Sequence, residues 1–448
     1  MDGENHADPL LTDLYQLAMT EAYLKVGMTG TAVFEFFVRK LPVRRAFLLA
    51  GGLEQAVAYL TSLRFDNDAL ARLSGLGKFA QPLIDYLAAF RFSGDVDAIP
   101  EGTVFFADEP ILRVTAPLPE AQLVETRLIN LLQFQSMIAA KAARMVLAAP
   151  GKQLVDFGAR RAHGAEAAVL AARAAYIAGF DGTATVSAAT EFGIPVFGTM
   201  AHSFIQAHDD ETIAFENFAR ARPEGLILLI DTYDTERAAA KVVKLAHNLA
   251  ADGIKVRGVR IDSGDLAAHA RRVRAILDEG GCADIAILAS GGIDEDDLAA
   301  FMRGHAPIDG YGLGTSLDVS ADAPALDCAY KLQEYAGVAR RKRSEGKATW
   351  PGRKQVWRLR NADGRFARDI LSTADDRQDG EALLVPVLRA GKRCAPQPSL
   401  QAIRTHAQQQ LAHLPDGLRR LRGASYPIEV APALRQLAAD CDRRMASG

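Results

Sequence analysis

The chain has 448 residues, of which 49% are hydrophobic and 24% are charged, and its formal net charge is −3. This length and balance predict a folded protein of two or three domains, or one large barrel with additions, and argue against a disordered or coiled-coil chain. A net charge so close to zero makes nucleic acid a poor partner, so an anionic ligand would be held by a few local cations and backbone amides.

The sequence favours a cytoplasmic protein without a membrane partner. Residues Met1 to His6 are acidic and polar, unlike a secretory or mitochondrial leader. No apolar run approaches the roughly 18 to 20 residues that span a bilayer. The four cysteines are far apart, without a C-x-x-C pair, and we expect reduced thiols.

The first 120 residues mix helical and strand patterns. Residues 13–23 carry apolar side chains at helical spacing, and Thr12 is a candidate N-cap for that helix. Residues 31–38 and 103–107 are rich in β-branched and aromatic side chains and predict strands. Residues 123–147 then predict one long helix or two helices in succession.

From about residue 153 short apolar strands alternate with Ala-rich helices. The predicted strands are 153–156, 195–198, 226–231, 255–261, 285–289 and 308–313. The predicted helices are 165–178, 235–251, 266–278 and 294–302. This alternation predicts a parallel sheet covered by helices. We expect an α/β fold with an irregular parallel barrel, and a doubly wound sheet remains the alternative.

Polar and glycine residues cluster directly after each of these predicted strands. The six clusters are Asp156–Arg161, Gly198–Ser203, Asp231–Thr235, Arg260–Asp265, Ser290–Asp294 and Gly312–Ser316. Because parallel strands bring their carboxyl ends to one edge of a sheet, these segments should form a single pocket. One such cluster is as easily an ordinary turn, but six at one edge favour a ligand site.

The glycines of this edge are suited to a phosphate group. Ser290-Gly291-Gly292 and Gly312-x-Gly314-Thr315 allow backbone amides to approach a ligand closely, and the Thr315 hydroxyl adds a donor. Glycine turns without a ligand are the competing interpretation. The chain has neither G-x-G-x-x-G nor G-x-x-x-x-G-K-[ST], which argues against dinucleotide binding and ordinary P-loop ATP binding.

The charged residues of the clusters are suited to carboxylates, phosphates and a hard metal ion. The cations are Arg160, Arg161 and Arg260, and the carboxylates are Asp231, Asp234, Asp262 and Asp265. Arginine binds carboxylate or phosphate through two parallel hydrogen bonds, and Mg²⁺ takes one or two carboxylates together with substrate phosphates. Buried pairs between these arginines and aspartates are the structural alternative.

His202 is the histidine that lies in a strand-end cluster among small neighbours. A neutral imidazole acts as a nucleophile or general base near pH 7, although a lone histidine is more often structural. The sequence has no Cys/His metal spacing and no Ser-His-Asp elbow. We therefore predict no metal site built from side chains alone.

Together these segments resemble the nicotinate phosphoribosyltransferase family. The matching segments, in order, are Leu10–Tyr15, Asp156–Gly164, Ala175–Gly182, Gly193–Gln206, Arg260–Leu266, Ala289–Asp294, Asp309–Leu317 and Pro351–Arg358. The resemblance implies condensation of nicotinate with phosphoribosyl pyrophosphate to nicotinate mononucleotide and pyrophosphate, for NAD synthesis. It also implies ATP as a co-substrate, Mg²⁺ as a cofactor, and transfer of the ATP γ-phosphate to a histidine that corresponds to His202.

The resemblance also implies an architecture. An irregular α/β barrel of the type II phosphoribosyltransferase kind would carry the active site, beside an α+β sandwich domain formed from both chain ends. We expect limits at 1–125 for the first part of the sandwich, 126–335 for the barrel, and 336–448 for the returning segment with its helical tail. A homodimer with shared active sites is implied, in which Tyr15 stacks on the pyridine ring in the partner's site.

The family's functional residues correspond to the strand-end residues of this chain. His202, Asp262 and Arg260 would be catalytic. Phe157 would cover the second ring face, Thr199 and Arg260 would contact nicotinate, and Arg160 and Arg161 would line the same pocket. Asp231, Asp262, Ser290, Gly291, Gly292, Gly312, Gly314 and Thr315 would hold the ribose and phosphates, with Mg²⁺ on the pyrophosphate near Asp231 and Asp262.

The chain departs from the family at residues 182–185, which read Gly-Thr-Ala-Thr where G-T-S-N is common. In the related nicotinamide phosphoribosyltransferase the position of Ala184 carries an aspartate that accepts from the amide, so alanine favours the acid. Nicotinamide and quinolinate stay open as alternative acceptors. A nucleotide sensor without catalysis and a sugar-phosphate isomerase are further alternatives, but the first has no need of His202 and the second lacks an obvious glutamate base.

Overall fold

The computed structural model describes residues 8–422 and 425–446, so the acidic start Met1–His6 lies outside the described residues. The chain divides into two compact units. Unit 1 combines the described residues up to Ala140 with those from Ala323 onward, and unit 2 is Lys141–Asp322. The domain limits expected from the sequence stay a prediction.

The first part of the chain supplies helices and strands to unit 1. They are α1 (Leu14–Lys25), β1 (Thr31–Lys40), β2 (Leu48–Leu49), α2 (Leu53–Ser62), α3 (Asn67–Gly75), α4 (Gln81–Ala88), β3 (Asp95–Ala98), β4 (Val104–Phe105), β5 (Pro110–Pro117), α5 (Leu118–Leu123) and α6 (Glu125–Ala148). The region predicted as one or two helices is thus the single helix α6, whose last residues belong to unit 2.

Asp13, and not Thr12, is the N-cap of α1, which corrects the sequence prediction. The Asp13 backbone N–H donates to Gln16 Oε1 at 3.0 Å. The Thr12 hydroxyl donates to the same oxygen at 2.6 Å. Thr12 therefore supports the capping glutamine instead of capping the helix itself.

Unit 2 continues with alternating strands and helices. They are β6 (Gln153–Asp156), a 3₁₀ turn (Ala159–Arg161), α7 (Ala165–Ala178), β7 (Gly182–Thr183), α8 (Val186–Phe192), α9 (His202–Gln206), α10 (Glu211–Ala221), β8 (Leu226–Leu229), α11 (Thr235–Ala250), β9 (Val256–Ile261), α12 (Leu266–Glu279), β10 (Ala286–Ser290), α13 (Glu295–Arg303), β11 (Gly310–Leu313) and α14 (Thr315–Asp318). The protein is therefore a mixed α/β protein, as the sequence predicts.

The six strands of unit 2 form one parallel sheet in the order β7-β6-β11-β10-β9-β8. Strands β8 to β11 lie side by side in chain order, and β6 pairs with β11 on one side and β7 on the other. The order is therefore that of a ring of strands that is open between β7 and β8. A doubly wound sheet would instead reverse its strand order at a switch point. The sheet is a parallel half-barrel, which excludes the doubly wound alternative.

The prediction of a strand at 195–198 is wrong. Val196 forms only an isolated parallel bridge with Thr183 and is 60% exposed, and the strand at this edge is β7. The Phe197 ring lies 2.6 Å from where a Cβ of Gly182 would stand. The two-residue strand was missed because Gly-Thr carries no apolar alternation. The apolar run Pro195 to Phe197 resembles a strand but pairs with β7 only through the single bridge at Val196.

The last part of the chain returns to unit 1. Its elements are β12 (Asp327–Tyr335), β13 (Val338–Ala339), β14 (Lys354–Arg360), β15 (Phe366–Thr373), β16 (Glu381–Ala382), β17 (Val385–Arg389), β18 (Lys392–Arg393), α15 (Leu400–Ala412), β19 (Ile428–Val430) and α16 (Pro432–Ala446). The sheets of unit 1 have the orders β13-β12-β1-β5-β3-β17-β18, β16-β14-β15-β19 and β2-β4. Because β1 pairs with β12, the two parts of the chain share one sheet.

The core of the half-barrel is made by the strands and the inner faces of the helices. Val259, Leu228, Ile287 and Leu313 have no solvent-exposed surface. Nearly continuous apolar strands are expected where a parallel sheet is buried on both faces. Within the described residues, no helix combines the length and apolarity that crossing a membrane would require.

Candidate active site

The half-barrel contains a cavity that reaches the carboxyl ends of its parallel strands, with an empty volume of about 380 Å³, including the part open to solvent. Its lining residues are Gln153, Val155, Phe157, Phe197, Gly198, Thr199, Ile227, Arg260, Leu288, Ala289, Tyr311 and Gly312. Of the predicted site residues, Phe157, Thr199, Arg260 and Gly312 are brought together here. An apolar wall with one arginine suits a flat ring that carries one anionic group.

Arg260, on β9, is the cation of this cavity. Its Nη2 donates to the Met200 carbonyl at 3.0 Å, and its Cζ lies 6.0 Å from the centroid of the Phe157 ring. Its Nε is buried and has no hydrogen-bond partner in the described part of the chain. Burial lowers the pKa of Arg260, while Asp262 and Asp231 favour its charged form. A charged guanidinium with an unused donor is a site for a carboxylate.

Phe157 is accommodated because residue 312 is glycine. A Cβ on Gly312 would stand 2.4 Å from Phe157 Cδ2. The Phe157 backbone N–H donates to the Leu313 carbonyl at 2.7 Å, which ties the loop after β6 to the end of β11. Gly312 is predicted from the sequence to be part of a phosphate cradle, and in the structure this glycine also leaves room for the ring.

His202 begins α9 and is partly accessible, with 39% of its side chain exposed. Its Nδ1 lies 3.1 Å from Thr232 Oγ1, and its Nε2 lies 4.0 Å from Asp262 Oδ2. With the proton on Nδ1 and donated to Thr232, Nε2 keeps a lone pair for chemistry. Thr232 was not singled out from the sequence, although it directly follows Asp231 in a strand-end cluster.

Asp231 and Asp262 form one network beside this imidazole. Asp231 Oδ2 accepts from the Asp262 backbone N–H at 3.0 Å and from the Ser263 hydroxyl at 2.6 Å. Asp262 Oδ1 accepts from the Ser290 hydroxyl. Asp231 Oδ1 is buried without a hydrogen-bond partner in the region that the structure describes. Each carboxylate is therefore held by one oxygen and keeps the other for a ligand.

Asp234 and Asp265, which the sequence analysis grouped with these carboxylates, are helix N-caps. Asp234 accepts from the Arg237 backbone N–H at 2.9 Å, and Asp265 accepts from that of Ala268 at 3.0 Å. Capping by aspartate satisfies free amides at a helix start and requires no metal. Among residues 8–422 and 425–446, no group of three or more His, Cys, Asp or Glu side chains is arranged to hold a metal ion.

The two glycines after β10 are required by the backbone. Gly291 and Gly292 have φ of 97° and 67°, and a Cβ on Gly291 would stand 2.0 Å from the Asp262 carbonyl oxygen. Left-handed backbone of this kind favours glycine. The buried Ser290 directly precedes them, so the turn places its hydroxyl on Asp262. On the neighbouring strand, Gly314 is the N-cap of α14, which begins at the exposed Thr315.

Arg160 and Arg161 lie in the 3₁₀ turn after Phe157 and are exposed. Neither forms an ion pair with another described residue. The positive charge of Arg160 is close enough to Arg260 to contribute to the lowering of the pKa of Arg260. Neither residue lines the cavity, and their two exposed guanidinium groups remain available for an anionic ligand.

Tyr15 lies on α1 of unit 1, with 45% of its surface exposed. Burial of its ring and the neighbouring Glu125 carboxylate raise the pKa of its hydroxyl to about 12. The hydroxyl therefore stays protonated at neutral pH. Its stacking role in a partner's site stays a prediction.

Comparison with known proteins points to the same family as the sequence segments do. Models of the N-terminal domain of nicotinate phosphoribosyltransferase (NAPRTase), of the NAPRTase family and of its C-terminal domain match residues 10–133, 152–349 and 376–438. The nicotinate phosphoribosyltransferase pncB2 of Mycobacterium tuberculosis is 49% identical over 95% of this chain and 92% of its own length. The nicotinate phosphoribosyltransferase of Bacillus subtilis is 34% identical over 94% of this chain and 92% of its own length.

Solved structures have the same fold. The crystal structure of human nicotinic acid phosphoribosyltransferase matches with a TM-score of 0.86 at 29% identity, covering 96% of this chain and all of that chain. A nicotinate-nucleotide pyrophosphorylase from Pyrococcus furiosus matches with a TM-score of 0.72 at 26% identity, covering 90% and 94% of the two chains. Fold, ordered motifs and overall identity agree, and the chain belongs to the nicotinate phosphoribosyltransferase family.

Proposed function

We propose that this protein is an ATP-coupled nicotinate phosphoribosyltransferase of NAD biosynthesis, with His202 as the phosphoryl acceptor. It forms nicotinate mononucleotide and pyrophosphate from nicotinate and phosphoribosyl pyrophosphate. The observation that carries the proposal is the single sheet edge that combines the arginine-bearing apolar cavity with an imidazole facing a carboxylate. Family membership supports the same reaction.

The pyridine ring of nicotinate would lie in the cavity against Phe157. Its carboxylate would take the buried Nε donor of Arg260, for which the described residues offer no other acceptor. Thr199, which lines the cavity, would add a contact, and Arg160 and Arg161, in the 3₁₀ turn after Phe157, would add others. Ala184 carries no carboxylate that would repel an acid or accept from an amide, which favours nicotinate over nicotinamide.

Phosphoribosyl pyrophosphate would lie across the ends of the neighbouring strands. The free oxygens of Asp231 and Asp262 suit the ribose hydroxyls and Mg²⁺, which in such sites binds one or two carboxylates together with substrate phosphates. Mg²⁺ supplies positive charge for the leaving pyrophosphate. The glycine turns at Gly291-Gly292 and Gly312-x-Gly314-Thr315 would bind phosphate oxygens through backbone amides.

In the transfer step, the bond between C1 of the ribose and the pyrophosphate oxygen breaks as the bond from the pyridine nitrogen to C1 forms. Positive charge develops on the sugar while negative charge grows on the leaving group. Asp231 and Asp262 would stabilise the former, and Arg160 and Arg161 the latter. The residues thus complement the charge changes of the transition state.

His202 would couple this reaction to ATP. Its Nε2 lone pair attacks the γ-phosphorus, the bond to ADP breaks, and a phosphorus–nitrogen bond forms. Water later cleaves that bond and releases phosphate. Thr232, at 3.1 Å from Nδ1, would hold the ring in orientation, and with the Nδ1 proton donated to this hydroxyl, Nε2 would keep the lone pair that the attack requires.

The proposal extends to the domain architecture, the oligomeric state and the cellular location of the protein. The half-barrel would be the open part of an irregular barrel, and unit 1 would be the sandwich domain built from both chain ends. Two chains would form a homodimer in which each Tyr15 completes the partner's site. The protein would act in the cytoplasm, which agrees with the absence of disulfides among its four cysteines, all of them free in the structure.

The test combines product identification with phosphoryl labelling. Mass spectrometry after supplying nicotinate, phosphoribosyl pyrophosphate, ATP and Mg²⁺ should detect nicotinate mononucleotide, with nicotinate preferred in parallel reactions over nicotinamide and quinolinate. Incubation with γ-labelled ATP should label the wild type but not His202→Ala. His208→Ala is the matched control and should be labelled, since His208 Nδ1 is engaged by the Phe204 carbonyl at 2.8 Å.

Three results would contradict the proposal. Preferred turnover of nicotinamide or quinolinate would overturn the substrate assignment. Equal labelling of the wild type and His202→Ala would remove the histidine from the phosphoryl transfer. Binding of nicotinate mononucleotide without any turnover would favour the sensor alternative.

A further inference from the structure

A pair of buried carboxyl groups lies beneath the loop that carries Phe157. Asp156 ends β6 and Asp318 ends α14, and they are 0% and 1% exposed. Asp156 accepts from the Gly158 backbone N–H at 2.8 Å and from the Thr183 hydroxyl at 2.7 Å. Both oxygens of Asp318 are buried and receive no protein donor within the described residues.

The Asp318 carboxyl packs directly against the loop backbone. A Cβ on Gly158 would stand 2.2 Å from Asp318 Cγ. The Gly158 backbone has φ −92° and ψ −11°, a conformation that any residue adopts, so glycine is needed here for space and not for flexibility. Gly158 joins Phe157 to the 3₁₀ turn that carries Arg160. The position of the Asp318 side chain therefore affects the positions of both Phe157 and this turn.

Two adjacent buried carboxyl groups do not both ionise, because the second charge is desolvated and repelled by the first. Burial, followed by the charge of Asp156, raises the pKa of Asp318 to about 9. Burial also raises the pKa of Asp156. Since Asp156 already accepts two donors and Asp318 none, Asp156 is the ionised partner and Asp318 keeps the proton.

No cation in the described region neutralises this pair. The 3₁₀ turn packed against α14 carries Arg160 and Arg161, which are exposed and form no ion pair with either carboxyl. Helix α7, also packed against α14, carries Glu166, Arg173 and Tyr176, and the guanidinium of Arg173 lies 5.7 Å from the centroid of the Phe192 ring. The remaining interaction that can join the two acids is a proton shared between their carboxyl groups.

We propose that Asp318 is a positioning residue for the base-binding cavity: its carboxylic acid donates to Asp156, and this hydrogen bond holds the Phe157–Arg161 loop in place. The inference rests on the proposed function, since the loop's task is to cover nicotinate. When Asp318 loses its proton, the two carboxylates repel, and the Gly158 backbone that is packed on Asp318 moves. The affinity for nicotinate then falls, although Asp318 never touches the substrate.

The test compares Asp318→Asn, Asp318→Ala and Asp309→Asn with the wild type between pH 6.5 and 9.5. The wild-type KM for nicotinate should rise roughly tenfold toward pH 9.5, with a smaller change in kcat, because the loop is displaced. In Asp318→Asn the amide donates permanently to Asp156, so the KM should stay low and flat. Asp318→Ala should show a raised KM at every pH. Asp309→Asn, a matched change at the amino end of β11, should follow the wild type.

Thermal unfolding gives a second measurement that does not depend on activity. A carboxyl whose pKa is raised on folding binds a proton that the unfolded chain has released, so stability falls as pH rises from about 4 to the folded-state pKa. The unfolding temperature of Asp318→Asn relative to the wild type should therefore increase as pH rises from 5 to 9. The difference in unfolding temperature between Asp309→Asn and the wild type should not increase with pH in this way.

The outcomes separate this inference from the proposed function. An alkaline rise in KM that is the same in Asp318→Asn and the wild type, or no rise in the wild type, overturns the positioning role. A stability difference that does not depend on pH overturns the shared proton. Failure of the wild type to form nicotinate mononucleotide at any pH would instead remove the proposed function, while unfolding would still decide whether the proton is shared.

Discussion

The contact between Gly312 and Phe157 shows how the size of one residue sets the shape of the cavity. The ring occupies the space where any other residue at 312 would carry its Cβ. The same ring lies beside the Arg260 guanidinium, so the apolar surface and the cation are positioned together. A change at residue 312 therefore acts on base binding through Phe157.

We expect Gly312→Ala to lower kcat/KM for nicotinate by about 5- to 100-fold, because overpacking typically costs about 1 to 3 kcal/mol and displaces the ring. Steady-state kinetics with nicotinate as the varied substrate measure the effect. Gly75→Ala is the control, since an added Cβ there has no neighbour within 4 Å. Unchanged kinetics of Gly312→Ala would show that the position of Phe157 is unimportant for binding.

At the scale of the element, strand-end aspartates that look alike in sequence divide into two kinds. Asp234 and Asp265 each accept from a backbone amide three residues further on and cap α11 and α12. Asp231 and Asp262 are joined to each other across neighbouring strands and leave an oxygen unused. The first kind stabilises a helix, and the second kind is available to a ligand.

We expect Asp265→Ala to lower the free energy of unfolding by about 1 kcal/mol, because the amides at the start of α12 lose their acceptor. Asp265→Ser should restore most of that stability in denaturant titrations. The Mg²⁺ concentration for half-maximal activity should be unchanged in Asp265→Ala and raised in Asp231→Asn. A raised Mg²⁺ requirement in Asp265→Ala as well would mean that the cap also serves the metal site.

At the scale of the whole molecule, the chain begins in unit 1, forms unit 2 and then returns to unit 1. Strand β12, after unit 2, pairs with β1 near the start of the chain. Unit 1 can therefore be completed only after the half-barrel has been synthesised. Tyr15 belongs to unit 1, whereas His202 belongs to unit 2. A site that needs both residues combines distant parts of the chain or two chains.

We expect Tyr15→Ala and His202→Ala each to be nearly inactive alone, and their mixture to recover activity if sites are shared. Random pairing should restore roughly a quarter of wild-type activity, since half of the dimers are mixed and each contains one intact site. Turnover before and after subunit exchange measures this. Absence of any recovery, with mixed dimers demonstrated by mass, would contradict the shared site.

Much of the fold could be predicted because burial imposes a pattern on the sequence. The strand 153–156 and the helix 165–178 were predicted with the limits that the structure has. The prediction of a strand at 195–198 was wrong, since this short apolar run is neither buried nor part of a continuous ladder: Val196 is 60% exposed and makes a single bridge. The half-barrel was predictable from alternation, whereas the two-residue β7 has no pattern to detect.

The candidate site could be predicted only in part. Phe157, Thr199, Arg260 and Gly312 were expected together and line one cavity. Thr232 and Asp318 were missed, because a hydroxyl beside an imidazole and an acid beneath a loop have no spacing that marks them in the sequence. Their partners, His202 and Asp156, come from other strands or helices.

The sequence by itself determined the alternation of strands and helices, the polar residues at one sheet edge and the family to which the chain belongs. These depend on local periodicity and on ordered motifs, which a linear chain records directly. Only the tertiary structure decided which aspartates cap helices, that Gly312 makes room for Phe157 and that Asp318 lies against Gly158. Those relations are contacts between side chains far apart along the chain, and they come into existence only when the sheet brings the strands together.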